Sequence, residues 1–427
     1  MTQPVATDYL KEIMRDANAR TIELVRELNA EQLIGPKLEI VNPLRWEIGH
    51  VAWFHEYFIL RRKYGRKTLH KRSDKVYDSI AIHHETRWDL PLLEMDETLQ
   101  YITDVEHALL DRLHGGMASE QDSYLYQFTT FHQDMHNEAY TYSRQTLGFP
   151  TPNFALAEAE NAPGGAYPGD AKIPGGTFNI GNPKDAPFVF DNEKWAHPLT
   201  VGPFKMAKAQ VSNAEFAAFT DDGGYEEERF WDDVSWQWRS QADITHPVYW
   251  LPDGHGKWGL RRFDTVIDLP PDQAMVHVSW FEAQAYCRWA GRRLPTEAEW
   301  EFAATTDGQG GKRAYPWGDE APDAAHANLD GRALGTIDVG ARPAGDNIHG
   351  VRQLIGNVWE WTETTFRPFP GFAPDDYKEY SEPLFGATKV LRGGAWPTRG
   401  RMIDSTYRNF YGPERRDVLA GFRTCAL

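Results

Sequence analysis

Residues 122–147, DSYLYQFTTFHQDMHNEAYTYSRQTL, hold no proline or glycine, and their apolar and aromatic side chains recur at helical spacing. The stretch therefore predicts one long helix. Inside it His132 and His136 stand four residues apart, so both imidazoles point to one face from consecutive turns. That spacing lets two nitrogens reach one ion, although a solvated helix face produces the same pattern. Working outward, Leu10, Ile13, Met14, Ala17, Leu24, Val25 and Leu28 mark one face of a helix over 8–28. Similar patterns at 43–63 and 95–114 bring the total to four and predict an antiparallel four-helix bundle. His50, in the second of these helices, is flanked by Trp46, Val51 and Trp53, where a buried imidazole needs a partner. A metal ion is one such partner and a backbone carbonyl is another. His55 falls on another face and reads as structural. Three histidine nitrogens suit Zn, Fe, Cu or Ni, and leave positions open as a catalytic site requires.

Past the bundle the composition changes. Residues 149–176, FPTPNFALAEAENAPGGAYPGDAKIPGG, are rich in proline, glycine and alanine and read as a crossing to a second unit. The expected division is 1–150 for the helical unit and 151–427 for the second, with 151–172 as linker. Beyond it, short β-like runs (GGTFNIG, MVHVSW, KVLRGGAW, AGFRTC) alternate with long loops. A helix is expected at 280–290 and another after Thr296, which with Glu299 forms a capping box. The fold class is thus α+β in two domains.

A chain of 427 residues has material for two cores, and a formal charge of −17 disfavours a nucleic-acid partner, which needs a clustered positive surface. Nothing approaches the roughly 20 apolar residues of a membrane span. A cytoplasmic protein acting on small molecules, with no membrane partner, is the expectation. The two cysteines, Cys287 and Cys425, are too few for a disulfide framework.

Several motifs carry a resemblance. The first unit, with His50 and the HQDMH run, resembles the DinB-like helical domain. The motifs IPGGTFNIG, VSNAEFAAF, MVHVSWFEAQAYCRWAGRRLPTEAEWEFAA, YPWGDE, IGNVWEWT, VLRGGAW and GFRTCA, in that order from Ile173 to Ala426, resemble the formylglycine-generating-enzyme-like domain, a C-type-lectin-like fold. Together they are similar to the ergothioneine-type sulfoxide synthases and their sister branch, the selenoneine synthases. The resemblance implies an Fe(2+) cofactor on His50, His132 and His136, and O2-dependent bonding of sulfur or selenium to the imidazole of hercynine (N-α-trimethylhistidine). It implies a catalytic tyrosine in the loop DDYKEYSEPLF, Tyr377 or Tyr380 with Tyr377 favoured, and substrate contacts from Asn409 and Phe410 in YRNFY. Arg87 and Arg415 align with positions that hold the donor's carboxylates.

Two departures bear on the donor. Tyr411 stands where the γ-glutamylcysteine-using branch has an acidic residue, and Met135 where that branch has a glutamine. Both lean the expectation toward a selenosugar, with γ-glutamylcysteine or cysteine as the alternative thiol donor. The stretch RGGAWPTRGRMIDSTYRNF lacks the cysteines that a sulfatase-modifying activity needs. Cys425 reads as a small buried hydrophobe. Two further readings are a zinc-dependent thiol transferase of the DinB-like type and a carbohydrate-binding protein with structural histidines.

Overall fold

A computed structural model describes residues 3–158 and 163–427. They form two compact units, one of 1–155 with 184–189, the other of 156–183 with 190–427. The four expected helices are present as α1 (Thr7–Val25), α3 (Leu44–His55), α5 (Met95–Leu110) and α6 (Glu120–Leu147), with the short α2 (Ala30–Ile34) and α4 (Ser73–Tyr77) between them. Helix α1 packs on α6, and α3 on both α5 and α6. The face marked by Leu10, Ile13, Met14, Ala17, Leu24 and Val25 is buried. Ser119 caps α6 by accepting from the Asp122 amide at 3.1 Å, and Gly148 ends it in a left-handed conformation that glycine adopts without strain. Helix α3 runs on as a π-helical segment, Glu56–Lys63. Among the described residues no helix is long and apolar enough to cross a membrane.

The second unit holds β1 (Asp170–Ile173), β2 (Gly176–Ile180), β3 (His197–Val201), β4 (Phe204–Ala207), α7 (Asn213–Asp221), α8 (Asp233–Gln241), β5 (Trp250–Pro252), β6 (Trp258–Arg262) and β7 (Thr265–Asp268). There follow α9 (Trp280–Ala290), β8 (Arg292–Arg293), α10 (Glu297–Thr305), β9 (Trp359–Thr365), β10 (Lys389–Arg392), β11 (Asn409–Tyr411), β12 (Ala420–Gly421) and β13 (Cys425–Ala426). Two four-stranded sheets, β1-β4-β13-β8 and β11-β10-β9-β12, are joined by the short run 422–424. Thr296 and Glu299 cap α10 reciprocally, as expected. Both cysteines are buried and unbridged.

Three local expectations are corrected. MVHVSW is not a strand: Ser279 and Glu282 form a capping box that starts α9 at Trp280, and His277 has φ +63°, which a strand does not allow. The proline- and glycine-rich run is not wholly a linker. Phe154 is buried under the Arg20 guanidinium at 3.8 Å and holds the chain on the bundle to residue 155, while 170–173 form β1; residues 159–162 of that run lie outside the described residues. Residues 184–189 group with the first unit, where Phe188 stacks on Tyr124 (5.5 Å) and meets Phe131 edge-on (5.0 Å). Composition gave no hint of that return.

Candidate metal centre

Helix α3 presents His50 and α6 presents His132 and His136, and one ligand nitrogen from each falls within 4.8 Å of the others. Ring centroids are 5.2 Å (His50 to His132), 4.9 Å (His50 to His136) and 4.6 Å (His132 to His136) apart. His50 and His132 are buried; His136 is half-buried with 19% of its side chain exposed, so the cluster has one wet edge. Burial, reinforced by the neighbouring imidazoles, holds His50 and His132 well below the usual histidine range. Both are neutral at pH 7, the form that can donate a lone pair to a metal.

The rings are oriented by their surroundings. The Nδ1 of His50 lies 2.8 Å from the Tyr77 carbonyl, which can only accept; Nδ1 therefore carries the proton and Nε2 is left for a metal. Gly49 makes this possible, because a Cβ there would come within 2.1 Å of the Tyr77 ring. Trp46, one turn before His50, stacks on its ring at 4.9 Å and 7°. Phe54, one turn after it, stacks on His132 at 3.6 Å and 8°. Three imidazole nitrogens on two rigid helices, with one ring fixed by a carbonyl, fit a catalytic metal ion of the N-ligated class. His55 stays outside the cluster: its Nε2 donates to Gln133 Oε1 at 2.9 Å, and Gln133 in turn binds Asn18 and Thr21.

The other residues singled out in the sequence fall in both units. In the first unit Met135 is half-buried on α6, between His132 and His136. Arg87 lies over the Trp46 ring at 3.9 Å, and its Nη1 donates to Asn42 Oδ1 at 2.8 Å. In the second unit Tyr380 and Phe410 meet edge-on at 5.6 Å, and the Tyr380 hydroxyl is 3.3 Å from that of Tyr407. Burial raises the Tyr380 phenol well above its ordinary value. Tyr377 is half-buried and leads into the 3-10 turn that contains Tyr380. Asn409 turns its Oδ1 back to the Phe410 amide at 2.8 Å, and Phe410 stacks on Phe366 at 4.1 Å. Arg415 is held by Asp417 through two hydrogen bonds of 2.7 and 2.6 Å, and its guanidinium lies 5.5 Å from the Tyr411 ring centre.

Sequence reasoning passed over the Tyr77 carbonyl, a backbone group without a residue signature. It also passed over Glu47, whose position one turn before His50 was a readable signal.

Residues 13–138 match the DinB superfamily, and residues 155–426 match the sulfatase-modifying factor enzyme 1-like domain. The chain is 38% identical over 438 residues to the hercynine oxygenase of Mycolicibacterium thermoresistibile, covering 98% of this chain and 95% of that one. Against the hercynine oxygenase of Mycobacterium tuberculosis the identity is 37% over 415 residues, covering 95% and 96%. The formylglycine-generating enzyme of Streptomyces coelicolor is 34% identical over 274 residues, which span 58% of this chain and 84% of that enzyme. Similarity to the hercynine oxygenases thus runs through both units, and the chain belongs to their family, the ergothioneine-type sulfoxide synthases.

Proposed function

We propose that the chain is an iron(II)- and O2-dependent oxidoreductase that joins a sulfur or selenium donor to C2 of the hercynine imidazole. The observation that carries this reading is the cluster of His50, His132 and His136 in a chain similar along nearly its whole length to hercynine oxygenases. Bound there, iron(II) supplies the one-electron chemistry that activates O2. The protein contributes lone pairs from imidazoles kept neutral by burial, and ring planes fixed by Trp46, Phe54 and the Tyr77 carbonyl. Asn409 and Phe410 are assigned to hercynine: an amide supplies donor and acceptor to an amino-acid end, and aromatic faces attract a trimethylammonium group. Tyr377 and Tyr380 are the candidate catalytic phenols, with Tyr377 favoured.

For the donor, an uncharged selenosugar is the leading assignment and γ-glutamylcysteine or cysteine the alternative. Tyr411 brings no carboxylate to pair with a donor ammonium, and Arg415 already pairs with Asp417, which lessens its use for a donor carboxylate. Met135 brings no amide for the substrate imidazole. The test is anaerobic loading with iron(II), followed by hercynine, O2 and each donor in turn, with products identified by mass spectrometry. A selenium adduct formed faster than any sulfur adduct is expected. No hercynine adduct with any of the three donors overturns the reading, and turnover without O2 favours a zinc thiol transferase.

A further inference from the structure

Glu47 sits on α3 one turn before His50, with only 2% of its surface exposed. Its Oε1 accepts from Asn42 Nδ2 at 2.7 Å, and Asn42 Oδ1 accepts from Arg87 Nη1 at 2.8 Å. The other carboxylate oxygen, Oε2, makes no hydrogen bond and lies 3.6 Å from His136 Nδ1, which makes none either. An acceptor and a potential donor thus stand side by side in a buried place, each unsatisfied. They are slightly too far apart to bond and too close for a water to sit between them. Leaving two such groups unpaired is costly, so the arrangement needs an explanation.

We infer that Glu47 is the positioning residue of the metal centre: its Oε2 accepts a hydrogen bond from the Nδ1–H of His136, fixes that tautomer and leaves Nε2 to the metal. The inference rests on the iron reading above and adds a residue to it. It follows from what the other two ligands have. His50 is fixed by the Tyr77 carbonyl and the Trp46 ring, and His132 by the Phe54 ring. His136 is the more exposed ligand, and Glu47 is the acidic group the structure sets against it. A carboxylate does more than a carbonyl here, since it both orients the imidazole and raises the basicity of the nitrogen that binds the metal. Asn42 and Arg87 steady Glu47 from behind, and Arg87 also lies over Trp46, which stacks on His50. One guanidinium therefore backs two of the three ligands by different routes.

The test compares iron(II) affinity in the full chain, by anaerobic titration against a competing chelator, for wild type, Glu47→Gln and Glu47→Leu. Glutamine keeps a neutral acceptor and leucine keeps none. The expected order is wild type, then Gln, then Leu, with Glu47→Leu weaker by ~10–100-fold. The electron paramagnetic resonance signal of the nitric oxide adduct of the iron(II) protein should change in the same order, a readout that a purely structural role does not move. Tyr140, four residues after His136, also has a buried hydroxyl without a hydrogen bond and feels the Glu47 charge, so Tyr140→Phe separates the two partners: iron binding within about twofold of wild type is expected, and a loss equal to that of Glu47→Leu overturns the inference in favour of the phenol. Glu47→Leu that melts cooperatively and binds iron like wild type overturns the inference while the iron reading stands. If Glu47→Leu does not fold, Glu47→Gln and Asn42→Ala decide, and wild-type affinity and spectra in both overturn it equally. Wild type that takes up no iron, unchanged by His136→Ala, overturns the iron reading and the inference together.

Discussion

Around the proposed metal centre of the helical unit, burial keeps the imidazoles of His50 and His132 neutral beside the carboxylate of Glu47. The second unit buries charges outright and pairs them. There Arg423 and Glu360, both fully buried, share hydrogen bonds of 2.7 Å; Arg392 reaches Glu297 and Glu301, and Arg408 also grips Glu297. The difference follows from what each unit must do. The proposed metal site needs lone pairs, and the neutral imidazoles of His50 and His132 in an aromatic surround supply them. A loop-rich fold with short strands has few ladder hydrogen bonds, and buried guanidinium forks tie its loops together by carboxylates and carbonyls. Arg423 does this in person, binding the Arg352 carbonyl as well as Glu360.

The sharpest way to separate the two designs is to remove a ligand. His136→Ala or His132→Ala should lose stoichiometric iron binding, beyond the ~100-fold that loss of an outer partner costs. The unfolding of the second unit should be unchanged, and metal analysis with calorimetry reads both. Next in size, Arg423→Met strands Glu360 without its counter-charge and should cost about 3–5 kcal/mol in urea unfolding. Adding Glu360→Leu should recover much of that loss, and no recovery would show that the arginine acts through its carbonyl contacts instead.

Acid offers a third comparison, because each unit holds one buried histidine outside the cluster that is pushed down to about 4, His55 in the first and His277 in the second, in both cases chiefly by burial. Their folded values lie below the unfolded 6.5, so the folded chain binds fewer protons between those limits. Stability is full above pH 6.5 and is lost as the pH falls toward 4, by about 3 kcal/mol for each histidine. Replacing either with glutamine should flatten the stability profile over that window, and an unaltered slope would count against the buried neutral state. The smallest effect is expected from Gly49→Ala: crowding the Tyr77 ring should cost about 1–3 kcal/mol and loosen iron by displacing the carbonyl from His50. Unchanged iron affinity would show that the carbonyl is dispensable.

Much of this arrangement is legible in the sequence. Helical periodicity marked the faces of α1, α3, α5 and α6, because one buried stripe repeats at every turn, and the spacing of His132 and His136 marked a shared face. The capping pair Thr296 and Glu299 set the start of α10 by local hydrogen bonding alone. What escaped depended on contacts distant in sequence. MVHVSW has the side chains of a strand, but its path is decided by the cap at Ser279 and by neighbouring loops. Glu47 is assigned to the proposed metal centre because α6 brings His136 beside it. Phe188, in a stretch of loop-like composition, gives no local sign that Tyr124 and Phe131 await it.

That last contact bears on the order of events during synthesis. Because residues 184–189 group with the bundle while 156–183 do not, the ribosome has already delivered part of the second unit before Phe188 emerges. The α6 side chains Tyr124 and Phe131 therefore receive Phe188 only after all four long helices have been made.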